Sequence, residues 1–197
     1  MAVERPAMDE AGEPDTRQDS RTDQELICAI NEGDALAFEI LYYRYRDWVT
    51  SLAFRFTNDR ELALDVMQET FLYFIKKVPG FRLTANFKTF LYPAIKHLSI
   101  AARRQSQRFQ SSEAELEQLE VSAASAPVIA ELEPLQAALA ILSTEHREVL
   151  TLRFVDGFSL NEIAEALSIP LGTVKSRLHI ALKTLREDNG AKKYFER

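Results

Sequence analysis

Apolar residues recur at helical spacing through most of this chain, and this periodicity is the feature that most constrains its fold. The clearest segment carries apolar side chains at Phe38, Leu41, Tyr42, Tyr45, Val49, Leu52, Ala53 and Phe56. Steps of three and four residues place such side chains on one face of a helix with 3.6 residues per turn. No segment shows the pattern of a strand, so the sequence predicts an all-α protein.

Helix-start and helix-stop signals divide the first half of the chain into four helices. A capping box, Thr22-Asp-Gln-Glu25, opens the first helix, and Gly33-Asp34 separates it from the second. The sequence "TND" at 57–59 supplies the next turn and cap, and Pro79-Gly80 ends the third helix. The fourth helix should begin near Asn86, with a kink or a late start because Pro93 removes a backbone hydrogen bond.

Two burial predictions follow for these helices. The third helix should bury an apolar stripe made of Met67, Phe71, Phe74, Ile75 and Val78. Cys28 is the only cysteine, so the chain cannot form an internal disulfide or a cysteine-cluster metal site. We expect Cys28 to be buried on the first helix.

The C-terminal part of the chain predicts three short helices. Ser143 should cap the first, which ends before Asp156-Gly157, and "SLNE" at 159–162 is a second capping box. After the turn "SIPLG", the last helix places Val174, Leu178, Ala181, Leu182 and Leu185 on one face and basic residues on another. A short helix, a tight turn and a second helix with exposed bases form a helix-turn-helix, whose second helix enters the DNA major groove.

These segments predict two small helical domains joined by a flexible linker. The expected order is a disordered acidic tail at 1–21, a helical domain at 22–104, a linker at 105–133 that can be partly helical, and a helix-turn-helix domain at 134–190. No run of about 20 apolar residues exists to span a membrane, and the acidic N-terminus lacks a secretion signal. The sequence therefore predicts a cytoplasmic protein without membrane insertion.

Charge is distributed unevenly along the chain, although its net value of −6 would argue against a nucleic-acid partner. Residues 1–25 hold eight acids and three bases, and residues 109–142 hold six glutamates and no base. The stretch 70–112 contains no acid, whereas it carries eight bases: Lys76, Lys77, Arg82, Lys88, Lys96, Arg103, Arg104 and Arg108. Aromatic residues interleave with these bases, a mixture that suits unpaired DNA because rings stack on bases and cations hold phosphates.

Two motifs resemble those of bacterial RNA polymerase sigma factors of the extracytoplasmic-function (ECF) group. One is "D-x-x-Q-E-x-F" within "ELALDVMQETFLYFIKKVPGF", and the other is "GFSLNEIAEAL" followed by "IP" and "GTVKSRL". They occur in the order typical of that family, on either side of a linker. The resemblance implies that the chain binds RNA polymerase core enzyme, recognises two promoter elements and initiates transcription, without cofactor or metal. An anti-sigma factor is a further partner of many family members.

The resemblance also assigns candidate binding residues. The positions that dock on the coiled-coil of the polymerase clamp correspond to Asp65, Gln68, Glu69 and Leu72, which share one helical face opposite the apolar stripe. The candidates for the melted promoter element are Arg82, Asn86, Lys88, Phe90, Lys96, Arg103 and Arg104. The candidates on the recognition helix are Thr173 as N-cap, Lys175, Ser176, Arg177 and His179.

Within the recognition helix, the residue types suggest separate roles. Lys175, Ser176 and Arg177 should occupy the first turn, with Arg177 as a bidentate guanine ligand and Lys175 on phosphate or base. Ser168 replaces a glycine frequent in the family, at a small strain cost if that position is left-handed. The chain also departs from the family at Phe90, Pro93, His97 and Ala101.

Two other functions compete with this interpretation. An ordinary helix-turn-helix regulator, whose N-terminal part senses a signal or dimerises, would explain the C-terminal motif but not the acid-free aromatic and basic stretch. An enzyme has little support, since His97, His146 and His179 are scattered and no phosphate-binding glycine loop is present. Asp65 and Glu69 share a helical face, but two carboxylates on one exposed helix would make a weak metal site.

Overall fold

The structure is a computed structural model that describes residues 19–116 and 139–188. The chain divides into two compact units, Met1–Glu117 and Gln118–Arg197. The described residues form seven helices and no strand, which confirms the all-α prediction. Three segments lie outside the described residues: 1–18 of the predicted tail, 117–138 across the end of the predicted linker and the start of the predicted helix-turn-helix domain, and the end of the chain from 189.

The N-terminal unit contains four helices: α1 (Asp23–Asn31), α2 (Ala35–Thr57), α3 (Arg60–Ile75) and α4 (Phe87–Leu116). The capping box is present, because the Thr22 side chain accepts from the Glu25 N–H while the Glu25 side chain accepts from the Thr22 N–H. Asp34 and Asp59 cap α2 and α3 through their carboxylates. These caps satisfy backbone donors that the first turn of a helix leaves without an intrahelical partner.

A cluster of aromatic rings forms the centre of this unit. Phe74 of α3 is fully buried, and its ring centroid lies 5.0 Å from that of Phe87 and 5.3 Å from that of Phe81. Phe38 and Phe90 complete the surroundings at 6.4 and 6.3 Å. Edge-to-face and stacked rings at these separations stabilise a core beyond their buried area. The cluster therefore fixes α3 against α2, α4 and the loop between α3 and α4.

Residues 19–21 are part of this unit, although the sequence placed them in a disordered tail. The Arg21 guanidinium lies 2.8 Å from the Asp19 carboxylate and 3.4 Å from that of Asp34. Arg44 of α2 donates to the backbone carbonyl of Arg21 at 3.1 Å. The hydrogen bond from Arg21 lowers the pKa of Asp19 below its usual value. The ordered unit therefore begins before the capping box.

Asp23 connects α1 to α2 beside this contact. Its carboxylate pairs with Arg44 at 2.7 Å and accepts a hydrogen bond from the Tyr45 hydroxyl. Burial raises the pKa of the Tyr45 phenol well above its ordinary value, and the bond to Asp23 raises it further. The phenol therefore remains a hydrogen-bond donor across the physiological pH range.

Two burial predictions for this unit are wrong. Cys28 is exposed, because the buried face of α1 is formed by Leu26, Ile27 and Ile30, and position 28 lies opposite them. Ile75 is also exposed, with 42% of its surface accessible. The buried face of α3 is formed by Ala63, Val66, Met67, Thr70, Phe71 and Phe74. Ile75 lies about 100° further around the helix than Phe74 and so leaves the core.

Helix α4 begins at Phe87, next to the expected position, and passes through Pro93 without a late start. Leu91, Tyr92 and Ile95 are buried on either side of the proline, whose own side chain is exposed. Burial of three large side chains offsets the cost of about 3 kcal/mol for a proline inside a helix. The helix extends to Leu116, well into the segment predicted as a linker.

The C-terminal unit contains α5 (Thr144–Phe154), α6 (Leu160–Leu167) and α7 (Leu171–Glu187). Ser143 caps α5, and Ser159 forms the second capping box with Glu162, as the sequence predicted. One apolar cluster is aliphatic, with Leu142, Leu150, Ala181 and Leu185 buried together and Leu139, Leu178 and Leu182 packed against them. Arg147 donates to the carbonyls of residues 139, 140 and 142 and holds this segment against α5.

The start of α7 differs from the prediction. The helix begins at Leu171 with Pro170 at the N-cap position and no side-chain cap, so Thr173 is not the N-cap. The fixed φ of proline suits a helix start, and Thr173 instead donates its own N–H to the Pro170 carbonyl at 2.9 Å. Lys175, Ser176 and Arg177 consequently lie in the second turn. Ser168 has a φ of 53° in the left-handed region, as anticipated for the family's glycine position.

Candidate polymerase-binding and nucleic-acid interfaces

The α3 surface predicted to bind polymerase is a single exposed face. Asp65, Gln68, Glu69 and Leu72 are all exposed, and none of them contributes to the core. They lie at i, i+3, i+4 and i+7, which puts them on adjacent positions along the outer side of the helix. Their backbone is held by the aromatic cluster behind α3, so this face is presented on a rigid element.

Two apolar residues that the sequence did not assign to this face also belong to it. Leu64 and Ile75 are 47% and 42% exposed, and Leu72 is 45% exposed. These side chains form an apolar stripe along α3 beside the two carboxylates, which is the mixture of apolar area and charge found in protein interfaces. We name Leu64, Asp65, Gln68, Glu69, Leu72 and Ile75 the α3 face. Sequence periodicity alone could not separate its apolar members from core residues.

The loop between α3 and α4 is held at its start by Asn31, which sequence reasoning missed. The Asn31 amide accepts hydrogen bonds from the N–H groups of Gly80 and Phe81 at 2.8 and 3.1 Å. It also donates to the Phe81 carbonyl at 2.8 Å. Three bonds from one side chain fix the backbone where the predicted single-strand-binding loop begins. No sequence signal pointed to Asn31, because its partners lie about 50 residues away.

The candidate DNA residues of this loop have different surroundings. Arg82 and Asn86 are exposed. The side-chain amide oxygen of Asn86 accepts from the Lys88 N–H at 2.9 Å, so Asn86 also caps α4. The Lys88 ammonium lies 5.2 Å from the centre of the Trp48 ring, a distance typical of cation–π contacts.

Phe90 is half-buried rather than projecting freely. Its ring lies 4.5 Å from that of Phe81 and stacks with that of Tyr73 at 5.8 Å. Tyr73 is 38% exposed, so an accessible aromatic surface remains at the edge of this group. A base could therefore stack at the rim formed by Phe81, Tyr73 and Phe90.

The remaining bases of the acid-free stretch lie on α4. Lys96 is half-buried, whereas Arg103 and Arg104 are exposed. Lys96 and Arg103 are seven residues apart and share one side of the helix. Together with Lys88 and Arg82, they extend a positive surface from the loop along α4, which suits a sugar-phosphate backbone.

On α7 the structure brings most of the predicted DNA residues to one exposed side. Lys175, Ser176 and His179 are exposed, while Val174, Ala181 and Leu185 are buried on the opposite side. Thr173 is half-buried near the start of the helix. The exposed side presents cationic and hydroxyl groups at the spacing of successive helical turns, and these groups can contact phosphates and base edges.

Arg177 lies at the edge of this exposed side and forms an ion pair within the C-terminal unit. Its guanidinium pairs with the Glu145 carboxylate of α5 at 2.7 Å, and only 23% of its side chain is exposed. Glu145 is in the first turn of α5 and is itself 65% exposed. A contact between Arg177 and a base would therefore require exchange of the carboxylate for DNA.

The described residues contain no cluster of three or more His, Cys, Asp or Glu side chains that could hold a metal ion. Asp65 and Glu69 thus gain no third ligand there. None of the helices in the described ranges has the length and hydropathy needed to span a membrane.

An N-terminal helical unit with an acidic and apolar face, an aromatic and basic loop, and a C-terminal helix-turn-helix define a transcription protein of the sigma type. The family model described as "Sigma-70 region 2" matches residues 41–109. The model described as "Sigma-70, region 4" matches residues 138–187. The match to region 2 disfavours the sensing or dimerisation domain of the competing interpretation.

Relatives that match more than four fifths of the chain identify the group within the sigma factors. The RNA polymerase sigma-H factor of Pseudomonas aeruginosa is 30% identical over 177 residues, which cover 83% of this chain and 91% of the relative. The ECF RNA polymerase sigma-E factor of Escherichia coli is 30% identical over 178 residues, which cover 83% of this chain and 92% of the relative. The chain belongs to the ECF group of RNA polymerase sigma factors. It therefore acts with RNA polymerase core enzyme and promoter DNA in transcription initiation.

A solved structure supports the fold. The chain is similar to the sigma factor RpoE of Bartonella quintana, solved in complex with the anti-sigma factor NepR. The TM-score is 0.56 at 22% sequence identity, and the match covers 76% of this chain and 94% of that chain.

Proposed function

We propose that three surfaces of this sigma factor divide the work of initiation. The α3 face binds the polymerase clamp coiled-coil, the loop and α4 hold the melted promoter strand, and the exposed side of α7 recognises the upstream promoter element. The domain at 22–104 binds polymerase and melts DNA. The segment 105–133 links it to the domain at 134–190, which recognises duplex DNA. The acid-and-leucine composition of the α3 face is the observation that carries this proposal.

The α3 face fits a basic protein surface with apolar patches. Asp65 and Glu69 supply negative charge for cationic partners, and Leu64, Leu72 and Ile75 supply apolar area that water otherwise covers. Burial of these apolar side chains contributes affinity, whereas the carboxylates steer the encounter and fix its register. The aromatic cluster holds the helix rigid, and this reduces the conformational entropy that binding would cost.

The loop and α4 fit a single strand. Asn31 fixes the loop backbone, Arg82 and Asn86 project from it, and the aromatic rim of Phe81, Tyr73 and Phe90 offers a stacking surface. Lys88, Lys96, Arg103 and Arg104 follow along α4 and hold phosphates. Stacking on an aromatic ring contributes about 1–3 kcal/mol per base, so a few such contacts help to keep melted DNA open.

The exposed side of α7 fits the major groove. Lys175, Ser176 and His179 reach phosphates or base edges, and Arg177 reads a guanine once it exchanges Glu145 for DNA. Thr173 lies in the first turn of α7 and contacts the sugar-phosphate backbone of the DNA, instead of capping the helix. This division follows the general rule that phosphate contacts position a protein and base contacts specify the sequence.

The protein acts in the cytoplasm, without enzymatic activity of its own, and an anti-sigma factor controls it, as NepR binds the similar RpoE of Bartonella quintana. A charged and apolar face that binds polymerase is a suitable target for such a competitor.

Reversal of charge on the α3 face tests the central assignment. In Asp65→Lys with Glu69→Lys, like charges would meet at the polymerase surface, at a cost of several kcal/mol. Both residues are exposed, so the free energy of unfolding should change by about 0.5 kcal/mol or less. We expect the variant to keep its circular dichroism spectrum, fail to co-elute with core polymerase, and support no run-off transcription.

A matched variant controls for net charge. Glu32→Lys with Asp47→Lys reverses two exposed acids of the same unit, away from the α3 face. This variant should co-elute with core polymerase as the wild-type protein does. Equal co-elution of both variants would show that the α3 face is only solvated surface and would overturn the polymerase assignment.

A further inference from the structure

Ile180 is the exposed aliphatic residue of helix α7, because Val174, Ala181 and Leu185 are buried and the three leucines at 171, 178 and 182 are half-buried. Ile180 is 42% exposed, whereas Val174 and Leu185 are 0% and 4% exposed. A β-branched residue in this position contributes little to helix stability. We propose that Ile180 is a specificity-determining residue that contacts the C5 methyl group of a thymine in the upstream promoter element. This inference rests on the proposed placement of α7 in the major groove.

The position of Ile180 on the helix supports a contact with bases. It lies one turn after Ser176 and nearly one turn before Lys183, both exposed, so the three side chains form one stripe. Val174, Ala181 and Leu185 are buried on the other side of the helix. Ile180 therefore lies on the outer side, between a hydroxyl group and a cation.

The chemistry of that stripe selects thymine. In the major groove thymine presents a C5 methyl group beside its O4 acceptor, whereas adenine, guanine and cytosine present donors and acceptors without a methyl group. An isoleucine can cover a methyl group, but it would leave polar edges without a partner when water is excluded. Ser176 and Lys183 can meanwhile reach a neighbouring base edge and a phosphate.

Arg177 does not occupy this position. Its side chain points to α5, where it pairs with Glu145 at 2.7 Å. The centre of the exposed side is therefore left to the stripe that contains Ile180. A position that met only water would favour a polar residue. An apolar residue at the centre of a cationic helix surface therefore fits contact with duplex DNA.

Replacement of thymine by deoxyuridine isolates the proposed contact, because the two bases differ only in the C5 methyl group. The test uses the full chain bound to core polymerase and a promoter fragment identified by run-off transcription. Each thymine of the upstream element is replaced singly, and relative affinities are measured by competition. We expect one or more replacements to weaken wild-type binding about fourfold, the effect of burying one methyl group.

Ile180→Ala should abolish this preference. The variant should bind the thymine and uracil fragments equally, at about the affinity of the wild type for the uracil fragment. Alanine favours helix, so the fold should be retained and circular dichroism should be unchanged. Val155→Ala, which shortens a 68% exposed apolar residue outside α7, is the matched control and should keep the full thymine preference.

The outcomes separate this inference from the proposed function. If Lys183→Ala weakens binding to both fragments while Ile180→Ala keeps the thymine preference, α7 binds DNA but Ile180 does not read the methyl group. A wild type indifferent to every replacement also overturns the inference. If Ile180→Ala instead reduces co-elution with core polymerase, the residue is a protein contact and the DNA assignment of Ile180 is wrong.

Discussion

Helices α3 and α7 each bury one side and expose the other. The residues packed against the buried side differ between the two helices, and so do the exposed surfaces. Behind α3 lie large aromatic rings around Phe74, whereas the described apolar cluster behind α7 is aliphatic. The exposed side of α3 combines acids with Leu64, Leu72 and Ile75, and that of α7 combines bases with Ile180. In both helices, apolar residues remain on the exposed side.

This difference in charge indicates how one chain addresses two kinds of partner. Carboxylates beside apolar side chains suit a protein surface with cationic groups, whereas lysines beside a hydroxyl group and a single isoleucine suit a duplex. The difference in core packing predicts where mutations cost the most stability. One ring in the core of the N-terminal unit contacts several elements at once, so its loss should matter more than the loss of any exposed side chain.

The largest effect is therefore expected for Phe74→Ala. The Phe74 ring packs against Phe38, Phe81, Phe87 and Phe90 and is fully buried. Removal of a buried phenylalanine ring costs about 3–5 kcal/mol. Chemical denaturation of the full chain, followed by circular dichroism, should show that loss, and co-elution with core polymerase should fall with it.

Leu72→Ala shows whether the two sides of α3 have separate roles. Leu72 is 45% exposed, so we expect a small change in the free energy of unfolding but weaker binding to core polymerase. A loss of stability as large as that of Phe74→Ala would contradict this division. A cost below about 1 kcal/mol for Phe74→Ala would show that the remaining rings close the cavity.

The second effect concerns the pair Arg177 and Glu145. Arg177→Ala should weaken binding of the polymerase complex to its promoter by about 1–3 kcal/mol if the guanidinium reads a guanine. Glu145→Gln should preserve or strengthen binding, because it removes the carboxylate that competes for Arg177. Competition binding with specific and unrelated fragments measures both variants.

A different result would assign Arg177 to structure. If Glu145→Gln weakens specific binding as much as Arg177→Ala does, Arg177 acts by holding α5 and α7 together. The stability of both variants provides the control. Ion pairs near a protein surface contribute about 0–1 kcal/mol, so larger losses of stability would also favour the structural role.

The third effect separates phosphate contacts from base contacts on the same helix. Lys175 is exposed, so Lys175→Ala should leave the fold unchanged. If Lys175 binds phosphate, the variant should weaken binding to specific and unrelated fragments alike, and the slope of log affinity against log salt should fall by about one unit. A loss confined to the specific fragment would assign Lys175 to a base.

Sequence reasoning predicted the helices and their caps because these depend on local signals. Thr22, Ser143 and Ser159 cap as expected, since a hydroxyl group three residues before a free N–H is sufficient. The polar members of the α3 face were also predicted correctly as exposed. Thr173 failed as a cap because Pro170 starts α7 one turn earlier.

Sequence reasoning missed two kinds of feature. One kind is a contact between residues distant in the chain, and the other is an apolar residue that lies outside the core. Periodicity placed Ile75 in the core and assigned no role to Leu64 or Ile180. Hydrophobicity alone does not distinguish an apolar residue in an interface from one in the core. The contacts of Asn31 with the loop and of Arg177 with Glu145 join positions far apart in the chain. Only the tertiary structure brings such partners together.

The smallest effect concerns the start of the N-terminal unit. Deletion of residues 1–18 should leave stability unchanged, whereas deletion of residues 1–21 removes Asp19 and Arg21 and their ion pairs with each other and with Asp34. We expect the second deletion to cost about 1 kcal/mol or less in the free energy of unfolding, as is usual for pairs near the surface. Thermal unfolding of both truncated proteins beside the full chain measures the difference.

The pH dependence of that difference identifies its origin. The hydrogen bond from Arg21 lowers the pKa of Asp19 in the folded protein below its ordinary value of 3.8. A lowered carboxyl pKa stabilises the folded state above the ordinary pKa, and the contribution is lost as the pH falls through the folded-state pKa. The gap between the full chain and the 1–21 deletion should therefore be constant near neutral pH and shrink below pH 3.8. A gap that stays constant through that range would show that the backbone contact of Arg44 with residue 21, rather than the Asp19 pair, holds this segment.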